Sequence, residues 1–284
     1  QNQSELITLV TVMVHKRRPF YRFSLAVGLQ LALFAPGFAL IHSPQIVQAQ
    51  GIPQTWTTNK YEPPRGIGSA NRVEGGATRS PGVNCPIADK PLTALMPSDR
   101  FGTTVAAYPS FFVYLPASAN PGTPLPVEFV LEDSEGNLVY QSKFRTNGKS
   151  GIITLDLPQD VSLSPLEVGE DYRWMFSILC PPENERSNDQ VVEGWVRRVA
   201  INPTLETQLA QASPTKKVEL YAEAELWQDT LAQLVELRRN YPSDSEVANQ
   251  WVKLLNAAGL SSLVGESLAS QNTPVDVPLS SVQP

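Results

Sequence analysis

Two cysteines, Cys85 and Cys180, and a surplus of carboxylates are the side chains here with chemistry to offer, while histidine is almost absent. In an oxidising compartment an even pair of cysteines reads first as a disulfide. Such a bond would close a loop of about 95 residues, whose constraint on the unfolded chain contributes at most about 4–5 kcal/mol. Two unpaired, buried thiols are the other reading of the same count. Both histidines, His15 and His42, precede residue 50. Imidazole is the usual general base near neutral pH, the usual partner of a serine or cysteine nucleophile and the commonest metal ligand. From residue 50 onward, Ser-His-Asp hydrolysis, Cys-His catalysis and histidine-ligated zinc therefore have nothing to work with.

Hydrolysis by a carboxylate pair needs no histidine and survives that exclusion. Glu128, Glu132, Asp133, Glu135, Asp156, Glu170 and Asp171 are available for it. Most of them fall in turns or at outward-alternating strand positions, Glu128 among them, as solvated surface does. Glu132-Asp133-Ser134-Glu135 offers oxygen to a hard cation, but without the spacing of a calcium loop. The expectation is a non-catalytic chain with no cofactor, no metal site and no catalytic residue. Candidate interaction residues remain. Trp195 and Trp251, with Trp56, could offer ring faces to a polysaccharide. Arg65, Arg72 and Arg79 recur every seven residues among glycines and could dock an anionic partner.

The N-terminal stretch supplies an address. Lys16, Arg17, Arg18 and Arg22 form a basic region, Ser24 to Ile41 is almost wholly apolar, and Val47-Gln48-Ala49 has the small residues a signal peptidase reads. The pattern predicts a cleavable secretory leader with the cut before Gln50, Met13 as the translational start and residues 1–12 as an over-extension. A retained membrane anchor is the competing reading of the apolar run, and Arg17-Arg18-Pro19-Phe20 fits a twin-arginine signal. Export to the periplasm or cell surface follows. Setting aside the four basic residues and one acidic residue of positions 1–49 leaves 18 of 22 Lys and Arg against 27 of 28 Asp and Glu. So acidic a product is a poor partner for nucleic acid or an anionic membrane.

Hydrophobic periodicity organises the rest. Residues 50–84, rich in Gly, Pro and Arg, read as a flexible linker. From 85 to 202 the period is two: Ser110–Leu115, Val127–Leu131, Leu138–Phe144, Ser150–Leu157, Tyr172–Cys180 and Val191–Ile201 are among seven or eight short strands. The cluster at 132–137 makes a hairpin of the second and third of these. Trp174 and Cys180 fall on one strand, as a tryptophan and a cysteine do in immunoglobulin-type cores. With no helix to serve as a crossover, an antiparallel, Ig-like β-sandwich is expected. From 203 to 270 the period turns helical, with stops at Pro242 and Gly259 and an N-cap signal at Ser243-Asp244-Ser245-Glu246. Leu226 to Pro242 resembles half of one tetratricopeptide unit, with Trp227 at the aromatic place and Thr230 where alanine is usual. One unit cannot stand alone, so a helical appendage on the sandwich is expected. Residues 271–284 read as a disordered tail.

A resemblance then emerges from particular residues: the Gly/Arg-rich arm, Cys85, Tyr108-Pro-Ser-Phe-Phe-Val-Tyr-Leu-Pro116, Arg173-Trp174, Cys180-Pro181, Val192-Glu-Gly-Trp195 and Leu226-Trp227. Over about residues 60–265 the chain resembles a cyanobacterial family called domain of unknown function 928. The resemblance implies a periplasmic or envelope protein and carries over no catalytic residue. The expected role is protein interaction or structure, with another exported protein as partner. Polysaccharide binding is the alternative, and a carboxylate-based glycoside hydrolase a further one.

Overall fold

The computed structural model describes residues 51–56, Cys85, Ile87, 90–159, 163–181 and 186–269. The leader, Arg65, Arg72 and Arg79 of the arm, and the tail at 271–284 lie outside them. The described chain is mainly β, with two sheets and four C-terminal helices. The strands are β1 (Thr93–Ala94), β2 (Phe101–Thr104), β3 (Ser110–Leu115), β4 (Pro126–Asp133), β5 (Leu138–Arg145), β6 (Gly151–Asp156), β7 (Asp171–Ile178) and β8 (Gln190–Arg198). One sheet has the order β1-β3-β6 and the other β2-β8-β7-β4-β5.

The hairpin of β4 and β5 forms as the turn cluster predicts. Asp133 accepts the backbone N–H groups of Glu135 and Asn137, which closes the turn. Pairing is not antiparallel throughout, however. β2 runs parallel to β8, with Phe101 opposite Trp195 and Thr104 opposite Arg198. The expectation failed because it looked for a crossover helix. A parallel pair needs only a long connection, and here strands β3 to β7 supply it. Cys180 also lies beyond the end of β7 rather than on it with Trp174.

The two sheets share one core. The Phe111 ring of β3 lies 5.2 Å from Phe129 of β4 and 5.4 Å from Trp174 of β7, a spacing at which aromatic rings attract. Trp174 fits because position 194 opposite it is glycine: a Cβ there would stand 2.8 Å from the indole Nε1.

Local signals set the helices α1 (Pro203–Gln211), α2 (Pro214–Glu223), α3 (Trp227–Asn240) and α4 (Ser245–Ala257). Asn202 caps α1 by accepting from the Thr204 N–H, and Ser213 caps α2 through Lys216. Asp244 caps α4 through the N–H groups of Glu246 and Val247, as its sequence signal predicts, and Gly259 ends the run with a positive φ. Trp227, Leu231, Leu234 and Trp251 are buried in the same apolar cluster as Phe111, Phe129 and Trp174. The division drawn at residues 202 and 203 is therefore not a division of the core, and the helices are not an appendage. Residues 51–56, read as the start of a flexible linker, are docked. Trp56 is 2 % exposed, meets Trp227 edge-on at 4.9 Å, and donates its backbone N–H to the Ala257 carbonyl. Among the described residues no helix is long and apolar enough to cross a membrane.

Candidate functional site

The structure joins Cys85 to Cys180 in a disulfide with the Cα atoms 4.9 Å apart. The Cys180 backbone N–H donates to Asp189, whose other carboxylate oxygen accepts from Arg186. Arg186 also pairs with Glu128, which accepts from Lys143 and Gln141 of the neighbouring strand as well. Glu128 is thus not solvated. It points to the outer side of its sheet, as the alternation requires, but the turn Arg186–Asn188 and β5 cover it, and it is 3 % exposed. Burial raises its affinity for a proton, yet hydrogen bonds from Arg186, Gln141 and Lys143 outweigh that and hold the carboxyl below its ordinary range. Two further ion pairs, Arg173 with Glu193 and Arg197 with Asp171, cross between β7 and β8. These carboxylates hold strands together, and their partners are already in place.

The predicted tryptophan platforms are not at the surface. Trp195 is 1 % exposed and Trp251 is fully buried, with Arg238 stacked over the Trp251 ring at 4.6 Å and the indole N–H donated to the Val264 carbonyl. Trp251 is buried because it lies on the apolar stripe of α4 together with Val247, Leu254 and Leu255. Neither ring offers a face to a ligand, and with Trp56 also buried the sugar-stacking reading loses its residues. Among the described residues no group of three or more Asp, Glu or Cys side chains is placed to hold a metal ion.

Two clefts remain. The first, of about 300 Å³, runs between β3, β6 and α3, and Ser110, Asp156, Tyr221, Asp229, Glu236 and Arg239 line it. Asp229 is the chemically distinctive group. Being at the third position of α3, it reads from sequence as a solvated residue of a helix start. Instead one carboxylate oxygen accepts the Val105 N–H at 3.1 Å and ties the helix to the end of β2. Nearby, the Thr103 hydroxyl donates to the Glu225 carbonyl, and Gln228 lies so close over Gly102 that a Cβ there would stand 2.2 Å from its Oε1. Burial pushes the Asp229 carboxyl from an ordinary 3.8 up to about 6, against hydrogen bonds from Thr104 and Val105 that favour the ionised form. Of the other groups, Ser110 donates to Asp156 within the sheet, and Arg239 of α3 donates to Thr154 of β6 at 2.8 Å.

A raised carboxyl pKa means the folded state holds the proton more tightly than the unfolded state does. The resulting stability is present in full below pH about 4 and is lost as pH rises through about 6. Asp229→Asn removes the ionisation while keeping an acceptor for Val105. After discounting for partial exposure, it is expected to stabilise the protein by about 1–2 kcal/mol at pH 7, an advantage that shrinks toward zero by pH about 4. Urea titrations at the two pH values measure this. A constant difference would show that the carboxylate is not penalised in the fold.

The second cleft, of about 260 Å³, lies between α1 and α2, lined by Leu205, Gln208, Leu220, Glu223 and Ala224. Leu205, Leu209, Leu220 and Leu226 form a small apolar cluster of their own, apart from the shared core. No motif announces this groove in the sequence. Its only signal is that α1 carries two leucines, too few to bind it deeply.

Comparison with known proteins adds a family and little else. No curated protein matches the chain. Among solved structures, a β-glucuronidase from Ruminococcus gnavus in complex with an N1-substituted uronic isofagomine aligns at 11% identity over 70% of this chain and 45% of that one, with a TM-score of 0.20. The chain thus spans less than half of that enzyme, and a likeness so slight carries no argument. The family model for the Domain of Unknown Function, DUF928, matches residues 74–268, a span that takes in both sheets and all four helices, and the chain belongs to that family.

Proposed function

We propose that this chain is an exported protein of the cell envelope, cyanobacterial in origin, whose folded unit docks another exported protein without catalysis. The observation that carries the proposal is the open groove between α1 and α2, whose leucines form a cluster apart from the shared core, although the opposite face of α2 packs into that core through Val218 and Ala222. Leu205, Leu220 and Ala224 offer it an apolar floor, and Gln208 and Glu223 a polar rim. An extended segment with one apolar side chain and a donor for Glu223 fits that lining. Three further features support the reading. The leader pattern gives an exported address, the disulfide suits an oxidising compartment, and the buried carboxylates of the five-stranded sheet are committed to ion pairs between its elements. In the same reading the two sheets are an Ig-like sandwich with one parallel edge, and α2 with α3 is a single tetratricopeptide-like unit.

Gln208 and Ala224 both line the groove and are exposed, so Gln208→Glu with Ala224→Glu should leave stability within about 0.5 kcal/mol of wild type. The proposal expects the wild-type protein to retain a specific partner from envelope extracts and the double variant to lose it at unchanged thermal midpoint. Equal retention by both proteins would remove the groove from the account, and no retention by either would remove docking.

A further inference from the structure

Asn147-Gly148 is the one Asn-Gly pair in the sequence, and it lies in the loop that joins β5 to β6. Gly148 has a φ of +73°, and a Cβ on it would stand 2.4 Å from the Thr123 carbonyl oxygen, so backbone and space both require glycine here. Its carbonyl accepts the Ser118 N–H at 3.0 Å, and its own N–H donates to the Thr146 hydroxyl oxygen at 3.2 Å. Thr146 is buried, and the same oxygen accepts the Leu125 N–H at 3.0 Å. Asn147 is exposed, and its side-chain carbonyl accepts the Lys149 N–H at 3.0 Å. A glycine has no side chain to shield its nitrogen, and the asparagine before it carries an electrophilic carboxamide carbon that this nitrogen can attack. The pair has the parts of an intramolecular reaction, and a hydrogen bond holds each of them back.

We propose that Asn147 is a covalent modification site, converted to aspartate and isoaspartate through a cyclic imide whenever the loop at 146–149 opens, with the Thr146 hydroxyl governing how often it does. In the open loop hydroxide takes the Gly148 amide proton, and the nitrogen attacks Cγ of Asn147. The Cγ–Nδ2 bond breaks, the departing nitrogen takes a proton from water and leaves as ammonia, and the imide ring closes with hydroxide restored. Water then adds to either imide carbonyl and breaks its bond to nitrogen. Opening at Cγ gives aspartate. Opening at the main-chain carbon gives isoaspartate, which routes the backbone through the former side chain and lengthens it. In the closed loop the Gly148 nitrogen cannot turn toward Cγ without leaving Thr146, nor the carboxamide without leaving Lys149. The rate in the fold is therefore the rate of the free segment multiplied by the open fraction. Isoaspartate cannot reseat Gly148 between Thr123 and Ser118. Ser118 also bridges Ile87, two residues from Cys85, so the product undoes a contact that seats the disulfide's amino-terminal half. The loop thus converts a transient opening into a permanent one.

The experiment incubates the purified protein at mildly alkaline pH, folded and in urea, and follows residue 147 by peptide mass mapping that separates asparagine, aspartate and isoaspartate. Folded wild type should convert at least about tenfold more slowly than the same chain in urea. Thr146→Val keeps the side chain's shape without the hydroxyl and should convert several-fold faster than wild type, while Thr146→Ser should stay near it. Hydrogen exchange of the Gly148 amide in wild type gives the open fraction without any substitution, and should predict the folded rate from the urea rate. Conversion of folded wild type at the urea rate, or none at Asn147 in urea, overturns the site. Equal rates for wild type and a folded Thr146→Val protein overturn the role of the hydroxyl. Should that variant not fold, an unprotected Gly148 amide in wild type overturns the role instead.

Discussion

Replacing Trp227 with alanine is expected to cost about 3–5 kcal/mol, the range for deleting a large buried aromatic, and to loosen the helices from the sheets in one step. Trp227 is 1 % exposed at the start of α3. Its ring meets Trp56 of the amino-terminal segment, and its indole N–H donates to the Leu95 carbonyl at 3.0 Å. A single side chain thus ties together three stretches that are far apart in sequence. Truncation leaves a cavity and a buried carbonyl without its donor. Trp227→Phe separates the two contributions: it keeps most of the volume, loses the hydrogen bond, and should cost about 1–2 kcal/mol. Urea denaturation followed by circular dichroism measures both. Because the helices and sheets share a core, wild type and variants should each unfold in one transition, with sheet and helix signals coinciding. Separate transitions for the two would contradict the shared core.

Removing the disulfide should have an effect of similar size. Cys85 and Cys180 are 95 residues apart in sequence, and closing so long a loop in the unfolded chain contributes up to about 4–5 kcal/mol. Cys180 is fully buried, and its backbone N–H holds Asp189, so the bond also anchors the turn whose Arg186 covers Glu128. Cys85→Ser with Cys180→Ser is expected to lower the urea midpoint sharply. It should also loosen the turn that holds Arg186 over Glu128, so that Arg186→Ala costs more in the oxidised protein than in the disulfide-free one. Equal stability with and without the bond, at equal m-value, would count against the loop-closure account.

What the sequence made legible was whatever is decided within a few residues. The Asp244 cap, the stops at Pro242 and Gly259 and the hairpin closed by Asp133 depend on local side-chain chemistry, and each is where its pattern puts it. The disulfide was readable from parity alone. The misreadings share a cause. Glu128 was assigned the correct side of its strand, but its burial is due to Arg186, 58 residues away, and alternation carries no information about such a cover. Trp195 and Trp251 were treated as available because indole rings serve both cores and binding sites, and only packing distinguishes the two. The parallel pairing of β2 with β8 joins strands more than 80 residues apart, a distance over which no periodicity extends. Asp229 was missed because a carboxylate at a helix start is ordinary. The Val105 amide that makes it unusual arrives from another element.

The account centres on docking at the α1–α2 groove of an exported protein, and crosslinking in intact cells tests it most directly. A photoreactive residue placed at Gln208 should, on illumination, give one discrete adduct in the exported fraction. Ala224→Glu should abolish that adduct, and the same photoreactive residue placed at the exposed Leu138 should not form it. No adduct at Gln208, or the same adduct from both positions, would contradict the proposal.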